Sequence, residues 1–393
     1  MKKTIRDFEL KGKKVIIRCD FNVPIEDGVI KDDSRIRKSL KTIRYARSEG
    51  AKVILLSHLG RVKSEEDKEK YSLSLISNAL SKLLRKKVIF IPKTRGEEVE
   101  KAINSMHERD VILLENTRFE DLDGKKESKN NKKLGEYWAN LGDIFINDAF
   151  GTIHRSHASN LGISKILHSG VGFLVEKEIK ELEKLQNPKR PYVIIMGGSK
   201  ISDKIELVKK LVKKSDYLLI GGGMAFTFLK ASGFNIGSSL CEKDQIPFCK
   251  KLLDKYSDKI VLPIDVITAK EIKENVKTNE RFINEIEEDE IGLDIGPKTI
   301  KVFKHYLDDS KTVFWNGPVG YFEIKEFSKG TKRLCQIISE SKAYRVIGGG
   351  DTARAVEEMG YSKKMNHIST GGGASLTYLE GVKLKALESI DEK

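Results

Sequence analysis

Four cysteines are few for a chain of 393 residues, and Cys19, Cys241, Cys249 and Cys335 are spread along it with no C-x-x-C among them. Such spacing offers neither a disulfide framework nor a zinc site, and it suits a reducing compartment. Long apolar runs are also missing: none approaches the length of a membrane span, and the basic residues 1–14 lead into no signal-peptide core. The expectation is a soluble, cytoplasmic protein. There is no aromatic-rich basic surface and no nucleic-acid motif to claim the formal charge of +14, which arises from 72 Lys+Arg against 58 Asp+Glu. Most lysines alternate with glutamates on helical stretches such as residues 176–184, EKEIKELEK, the pattern of a solvated, ion-paired face. With nucleic acid and membrane set aside, small polyanionic ligands remain. At 39% hydrophobic residues the chain can fill two cores of ordinary size, and its length calls for two.

Residues 192–211, YVIIMGGSKISDKIELVKKL, read as a buried strand, a glycine turn and a helix start in succession. Five apolar residues, 192–196, suit a strand covered on both faces. Ile201, Ile205, Val208 and Val212 then recur at helical spacing, so a helix is expected from Ile201 onward. Unpaired N–H groups and the dipole at its start favour an anion, with Lys200 and Lys204 on one face to meet it. The stretch is not a P-loop, which needs G-x-x-x-x-G-K-S/T. Two glycines closing a strand and two solvated lysines would read the same way.

Toward the N-terminus, apolar segments 15–18, 53–56, 88–91, 111–114 and 144–146 alternate with helical patterns. The clearest helix is 34–48, with an Asp33 or Ser34 cap, Ile36, Leu40 and Ile43 on one face, and Gly50 as the stop. This rhythm means a parallel sheet covered by helices, in which ligands bind beyond the carboxyl ends of the strands. Those ends carry Asp20, Phe21 and Asn22, then His58, Leu59, Gly60 and Arg61, then Arg118, then Arg155. With Arg35 they make a basin for a small, multiply negative ligand, since guanidinium groups grip phosphate and carboxylate bidentately. His154 and His157 lack a third metal ligand nearby, which favours packing or substrate contact. A helix over residues 171–186 ends in NPKRP, the expected domain boundary.

The second half repeats the rhythm with segments 192–196, 217–220, 260–266, 312–315, 345–347 and 367–370, and three of them end in triple glycines. Gly lets backbone N–H groups approach a ligand, so the repetition suggests a nucleotide site. Gly348, Gly350 and Ala353 also fit G-x-G-x-x-A, the fingerprint of an NAD(P)-dependent dehydrogenase. The acidic residue due about twenty positions on is absent, and residues 369–375 read STGGGAS. Asp351 would repel a pyrophosphate unless a cation such as Mg²⁺ lay between. A non-catalytic nucleotide-binding module is the other alternative, and it has no need of a second anion basin. Two phosphate sites imply transfer.

Ordered along the chain stand RCDFNVP at 18–24, SHLGR at 57–61, ENTRF at 115–119, NDAFGTIHRSH at 147–157, GGSKISDK at 197–204, GGGMAFTFLK at 221–230, GLDIGP at 292–297, WNGPVGYFE at 315–323, GGGDTA at 348–353 and STGGGASL at 369–376. In these the chain resembles the phosphoglycerate kinase family over essentially its whole length. It departs at Cys19, where the family usually has valine, and at Thr117, where it often has an aliphatic residue. The resemblance implies an α/β fold of two Rossmann-like domains, each a parallel sheet covered by helices on both faces, joined by an interdomain helix and hinge. It places a phosphoglycerate-binding domain at 1–170, with residues from about 375 to 393 packing back on it, the helix at 171–187, and a nucleotide-binding domain at 188–374. It implies reversible phosphoryl transfer between 1,3-bisphosphoglycerate with ADP and 3-phosphoglycerate with ATP, using Mg²⁺, in a monomer. By position, Asp20, Phe21, Asn22, Arg35, His58, Leu59, Gly60, Arg61, Arg118 and Arg155 would hold phosphoglycerate. Gly198, Lys200, Lys204, Gly221, Gly292, Asn316, Glu323, Gly349, Gly350, Asp351 and Thr352 would hold the nucleotide, with Asp351 on the metal. Arg35, Lys200 and the N–H groups of Gly371, Gly372 and Gly373 would stabilise the transferring phosphoryl. The acceptor is a carboxylate, ionised at neutral pH with a pKa of roughly 4, so no general base is required.

Overall fold

A computed structural model describes residues 1–393 and divides them into two compact units, Met1–Lys180 with Lys383–Lys393, and Glu181–Val382. Unit 1 holds a six-stranded parallel sheet of β1 (Lys14–Cys19), β2 (Lys52–Leu56), β3 (Ile89–Ile91), β4 (Val111–Leu114), β5 (Ile144–Asp148) and β6 (His168–Val171), in the spatial order β3-β4-β2-β1-β5-β6. Central β1 carries the apolar run Val15, Ile16 and Ile17, fully buried because both faces of the strand are covered. Helix α1 (Ser34–Ser48) buries Ile36, Leu40 and Ile43 as its spacing predicts, and Gly50 follows it at φ +82°. Its cap differs from the expectation. Asp33 stands at the N-cap position, but its carboxylate accepts from Arg37 Nε at 2.7 Å and caps no helix N–H group.

Strand β6 carries no apolar run and so escapes sequence reading. Its pairing is backbone work: Val171 N–H donates to the Lys3 carbonyl at 2.8 Å and Gly172 N–H to that of Asn147 at 2.9 Å. Because Val171 belongs to the strand, α2 begins at Phe173 and runs Phe173–Gln186. Its first turn is held by buried partners. Phe173 N–H donates to Thr42 Oγ1 at 3.0 Å and Leu174 N–H to Asp148 Oδ1 at 2.9 Å. The returning segment Lys383–Lys393 is fastened to the start of the chain, with Lys3 N–H donating to the Asp391 carbonyl at 2.8 Å and Lys2 Nζ to the Glu388 carbonyl at 2.9 Å.

Unit 2 holds a second parallel six-stranded sheet, of β7 (Tyr192–Met196), β8 (Tyr217–Ile220), β9 (Ile260–Val261), β13 (Thr312–Asn316), β14 (Tyr344–Gly348) and β15 (His367–Ile368), ordered β9-β8-β7-β13-β14-β15. The intervening β10 (Asp265–Ala269), β11 (Asn279–Phe282) and β12 (Ile291–Ile295) form a small antiparallel sheet ordered β11-β10-β12. The single strand expected over 260–266 is therefore two strands in different sheets. Pro263 separates them: it has no N–H to give a ladder, so the chain leaves one sheet before entering the other.

The helix expected from Ile201 also needs correction. Ser202–Lys204 is a turn of 3₁₀-helix, and α3 runs Ile205–Lys214, burying Leu207, Val208, Leu211 and Val212. Helices α4 (Gly350–Glu358) and α5 (Gly373–Leu379) follow β14 and β15.

Candidate functional site

In unit 1 the basin is assembled by turns at the carboxyl ends of β1, β2, β4 and β5, and those turns are stitched to one another. Phe21 N–H donates to Ser57 Oγ at 2.9 Å, and Gly60 N–H to Asn22 Oδ1 at 2.8 Å. Buried Asn116 grips Leu59 from both sides, its Oδ1 accepting from the Leu59 N–H at 3.2 Å and its Nδ2 donating to the Leu59 carbonyl at 2.7 Å. Gly60 sits at φ +63°, where a Cβ would lie 2.3 Å from the Tyr71 ring, so no larger residue fits that turn. These bonds set the spacing of the side chains the turns carry.

The cations are close enough to feel one another. Burial, then Arg18, Arg118, Arg155 and Arg35, hold the His58 imidazole well below its usual range, so the ring is neutral. Burial, then Arg118 and Arg18, hold His157 down at about 2. Burial, then Arg118 and Arg61, lower Arg155, with Asp20 opposing. The structure thus brings Arg35, His58, Arg61, Arg118 and Arg155 together, as the strand-end reading expects. Their counter-charges are unequal. Arg35 pairs with Asp20 at 2.6 Å and Arg118 with Asp121 at 2.8 Å, whereas exposed Arg61 and Arg155 pair with no carboxylate. The Arg155 side chain donates Nε to His154 Nε2, at 3.4 Å. A separate cleft of about 620 Å³, lined among others by Lys93, Arg95, Glu115 and Glu120, contains none of these groups. Its Glu115 already accepts from Ser72 Oγ and the Leu73 N–H, each at 2.8 Å.

In unit 2 the glycine turns after β7, β8 and β13 pack backbone on backbone. A Cβ on Gly197 would lie 2.2 Å from the Pro318 carbonyl oxygen, and one on Gly222 2.7 Å from the Gly198 backbone nitrogen; apart from these turns, one on Gly292, inside β12, would lie 1.9 Å from the Phe226 ring. Asn316 and Thr352 tie these turns together, through Asn316 Nδ2 to the Gly348 carbonyl at 2.9 Å and the Gly317 N–H to Thr352 Oγ1 at 2.6 Å. Asn316 Oδ1 is buried with no partner. Lys204 Nζ donates to the Gly197 carbonyl at 2.8 Å. Burial pulls this ammonium down to about 8, with the charges of Asp351 and Asp203 opposing, so Asp351 is within electrostatic reach of it. Asp351 itself is exposed in the first turn of α4.

Two expectations change here. The N–H groups of Ile201 and Ser202 are not unpaired: both donate to Glu242 Oε2, at 2.6 and 3.1 Å, so a protein carboxylate fills that turn. Burial raises the Glu242 carboxyl, but the bonds from Ser202 and Ile201 and the charge of Lys200 hold it below its usual range. Glu323 is engaged by Arg354 Nη2. The Gly371 N–H donates to Ser369 Oγ at 3.1 Å, which leaves Gly372 and Gly373 of that trio. No sequence signal points to Glu242, which lies about forty residues from the turn it fills.

No group of three or more His, Cys, Asp and Glu side chains is arranged to hold a metal. One exposed carboxylate suits Mg²⁺, which typically takes one or two carboxylates and completes its shell with phosphates and water. Asp351 fits that role beside Lys204.

Two Rossmann-like units, one with a basin of guanidinium groups and one with glycine turns around a half-buried lysine, define a phosphotransferase. The phosphoglycerate kinase profile matches residues 5–382. Phosphoglycerate kinases of Enterococcus faecalis and Staphylococcus epidermidis are 53% and 54% identical to the chain, each over the full length of both proteins. Among solved structures, phosphoglycerate kinase from Coxiella burnetii superposes with a TM-score of 0.90 at 37% identity, covering 99% of each chain. That of Pyrococcus horikoshii gives 0.86 at 30% identity over 99% of this chain and 98% of its own. The chain belongs to the phosphoglycerate kinase family. It is a kinase that transfers phosphate to a carboxyl group. No helix is long and apolar enough to cross a membrane.

Proposed function

We propose that the chain interconverts 1,3-bisphosphoglycerate and ADP with 3-phosphoglycerate and ATP, that unit 1 takes the phosphoglycerate in its arginine basin, and that unit 2 takes the nucleotide on its glycine turns. The observation that carries the first assignment is the uncompensated charge of Arg61 and Arg155 beside a neutral His58. Cations held together without counter-ions are a site in wait of an anion. Asp20, Phe21, Asn22, His58, Leu59 and Gly60 shape the basin, and Arg35, Arg61, Arg118 and Arg155 supply its charge. Gly198, Gly221, Gly292, Gly349, Gly350, Asn316, Glu323 and Thr352 line the nucleotide site with Lys200 and Lys204.

A carboxylate nucleophile needs no proton removed, so catalysis rests on position and on cancelling charge at the transferring group. Arg35, Lys200 and the N–H groups of Gly372 and Gly373 are suited to that. Asp351 would hold Mg²⁺, whose chemistry is to neutralise charge on the phosphate oxygens. Four free thiols agree with a cytoplasmic home, and we take the protein to act there as a monomer. The decisive experiment is titration of 3-phosphoglycerate into the wild type and Arg155→Ala. The variant should bind at least about tenfold more weakly, equal to roughly 1.4 kcal/mol. Equal binding would move the acidic substrate elsewhere.

A further inference from the structure

Beneath the basin runs a polar chain that the transfer as described does not use. Arg18, Glu127 and Ser159 are all fully buried. Arg18 Nε donates to Ser159 Oγ at 2.8 Å, and that hydroxyl donates in turn to Glu127 Oε1. Ser159 N–H donates to Glu127 Oε2 at 2.9 Å, and the Ala158 N–H donates to the Glu127 carbonyl at 3.0 Å. At its other end Arg18 gives Nη1 to the Cys19 carbonyl, while Nη2 lies 3.3 Å from His58 Nδ1.

A guanidinium has only donors and stays protonated, so this last contact makes His58 Nδ1 an acceptor and puts the imidazole proton on Nε2. The mirror case stands beside it. Arg118 Nη2 meets His157 Nε2 at 3.5 Å, which puts the His157 proton on Nδ1, the atom 3.8 Å from Glu127 Oε1. One buried carboxylate thus lies behind both rings.

We propose that Glu127 is a positioning residue for the reaction, acting through Ser159 and Arg18 to keep the His58 proton on Nε2, so that the ring offers a donor to the acidic substrate. The physical reason is compensation. A buried guanidinium stripped of its counter-charge is strongly disfavoured and turns toward any other carboxylate or water, and His58 then loses the donor that selects its tautomer. Burial leaves the Glu127 carboxyl raised above its usual range, with Arg18 and the Ser159 bonds opposing that shift. The proposal rests on the assignment of phosphoglycerate to this basin.

The test uses the full chain. Long-range ¹H–¹⁵N spectra of the histidine side chains report which ring nitrogen carries the proton. Wild type should show His58 as the Nε2–H form, and its signals should move on adding 3-phosphoglycerate. In Glu127→Gln the signal should pass to a mixture of tautomers, with KM for 3-phosphoglycerate raised about tenfold and KM for ATP within about twofold of wild type. Ser159→Ala keeps both charges and removes only the hydroxyl between them. It should change the His58 signal in the same direction, and it decides the matter if Glu127→Gln does not fold. A folded variant with an unchanged His58 tautomer, whatever its rate, would reduce Glu127 to a structural role and overturn the proposal. Wild-type His58 signals indifferent to 3-phosphoglycerate would instead sink the basin assignment, and the proposal with it, before any variant is made.

Discussion

Arg35 donates through Nη1 to Oδ2 of Asp20 at 2.6 Å, in a pair whose Asp20 side chain is 8% exposed and whose Arg35 side chain is 38% exposed. The buried partner fixes one edge of the fork while the remaining donors stay available. A lysine gathers its three N–H donors at one point and cannot present the planar fork that spans Asp20 and a phosphoryl oxygen in fixed geometry. Arg35→Lys should therefore lower kcat by more than about tenfold, or roughly 1.4 kcal/mol. A coupled assay run in both directions measures this, and a smaller loss removes Arg35 from the transition state.

The role proposed for Asp351 is to meet a cation and not a phosphate. Asp351→Asn should weaken Mg-ADP far more than metal-free ADP in parallel titrations. Equal weakening in the two would take Asp351 out of the metal shell.

Partial burial pulls the Lys204 ammonium down to about 8. Below that pH it is charged and can hold phosphate; above it the charge is lost. Affinity for ADP should hold between pH 7 and 8 and then fall, by up to about tenfold per unit, in a range where phosphate itself, with a second pKa of about 6, no longer titrates. Lys204→Arg should flatten the profile above pH 8. A wild type with constant affinity from pH 7 to 9.5 would contradict a phosphate contact by Lys204.

Asp148, which caps α2, is pushed up to about 7 by burial, with bonds from Thr42, Leu174 and Val175 opposing. Its carboxyl pKa is higher folded than unfolded, so the native state binds more protons between about pH 4 and 7 and stability falls as pH rises through that window. The unfolding free energy of the wild type, minus that of Asp148→Asn, should decline from pH 4 to 7 and level off above. A flat difference would mean that the carboxyl titrates as an ordinary one.

Apolar periodicity was enough to place β1, β2, β4, β5, β7, β8 and α1, since each buries a face that its own residues define. The repetition of arginine at strand ends was legible for the same reason: topology alone gathers those ends. What stayed hidden depends on partners distant in sequence. Glu242 fills the turn at Ile201, Glu127 stands behind Arg18, and Asp391 and Lys3 hold the edge at β6; none of these pairs leaves a local pattern. The break at Pro263 was readable in principle, as a residue that cannot sit inside a ladder, but the apolar run on either side of it was the stronger signal.

The fastening of Lys383–Lys393 onto unit 1 bears on how the protein is made. A ribosome finishes the six strands of unit 1 early, yet the segment that bonds to Lys2 and Lys3 is translated only after all of unit 2. During synthesis unit 1 must wait with that seam open, while unit 2, made of one continuous stretch, needs nothing that comes later. The second half of the chain is thus the first whose fold can be completed, reversing the usual order in which domains mature from the N-terminus.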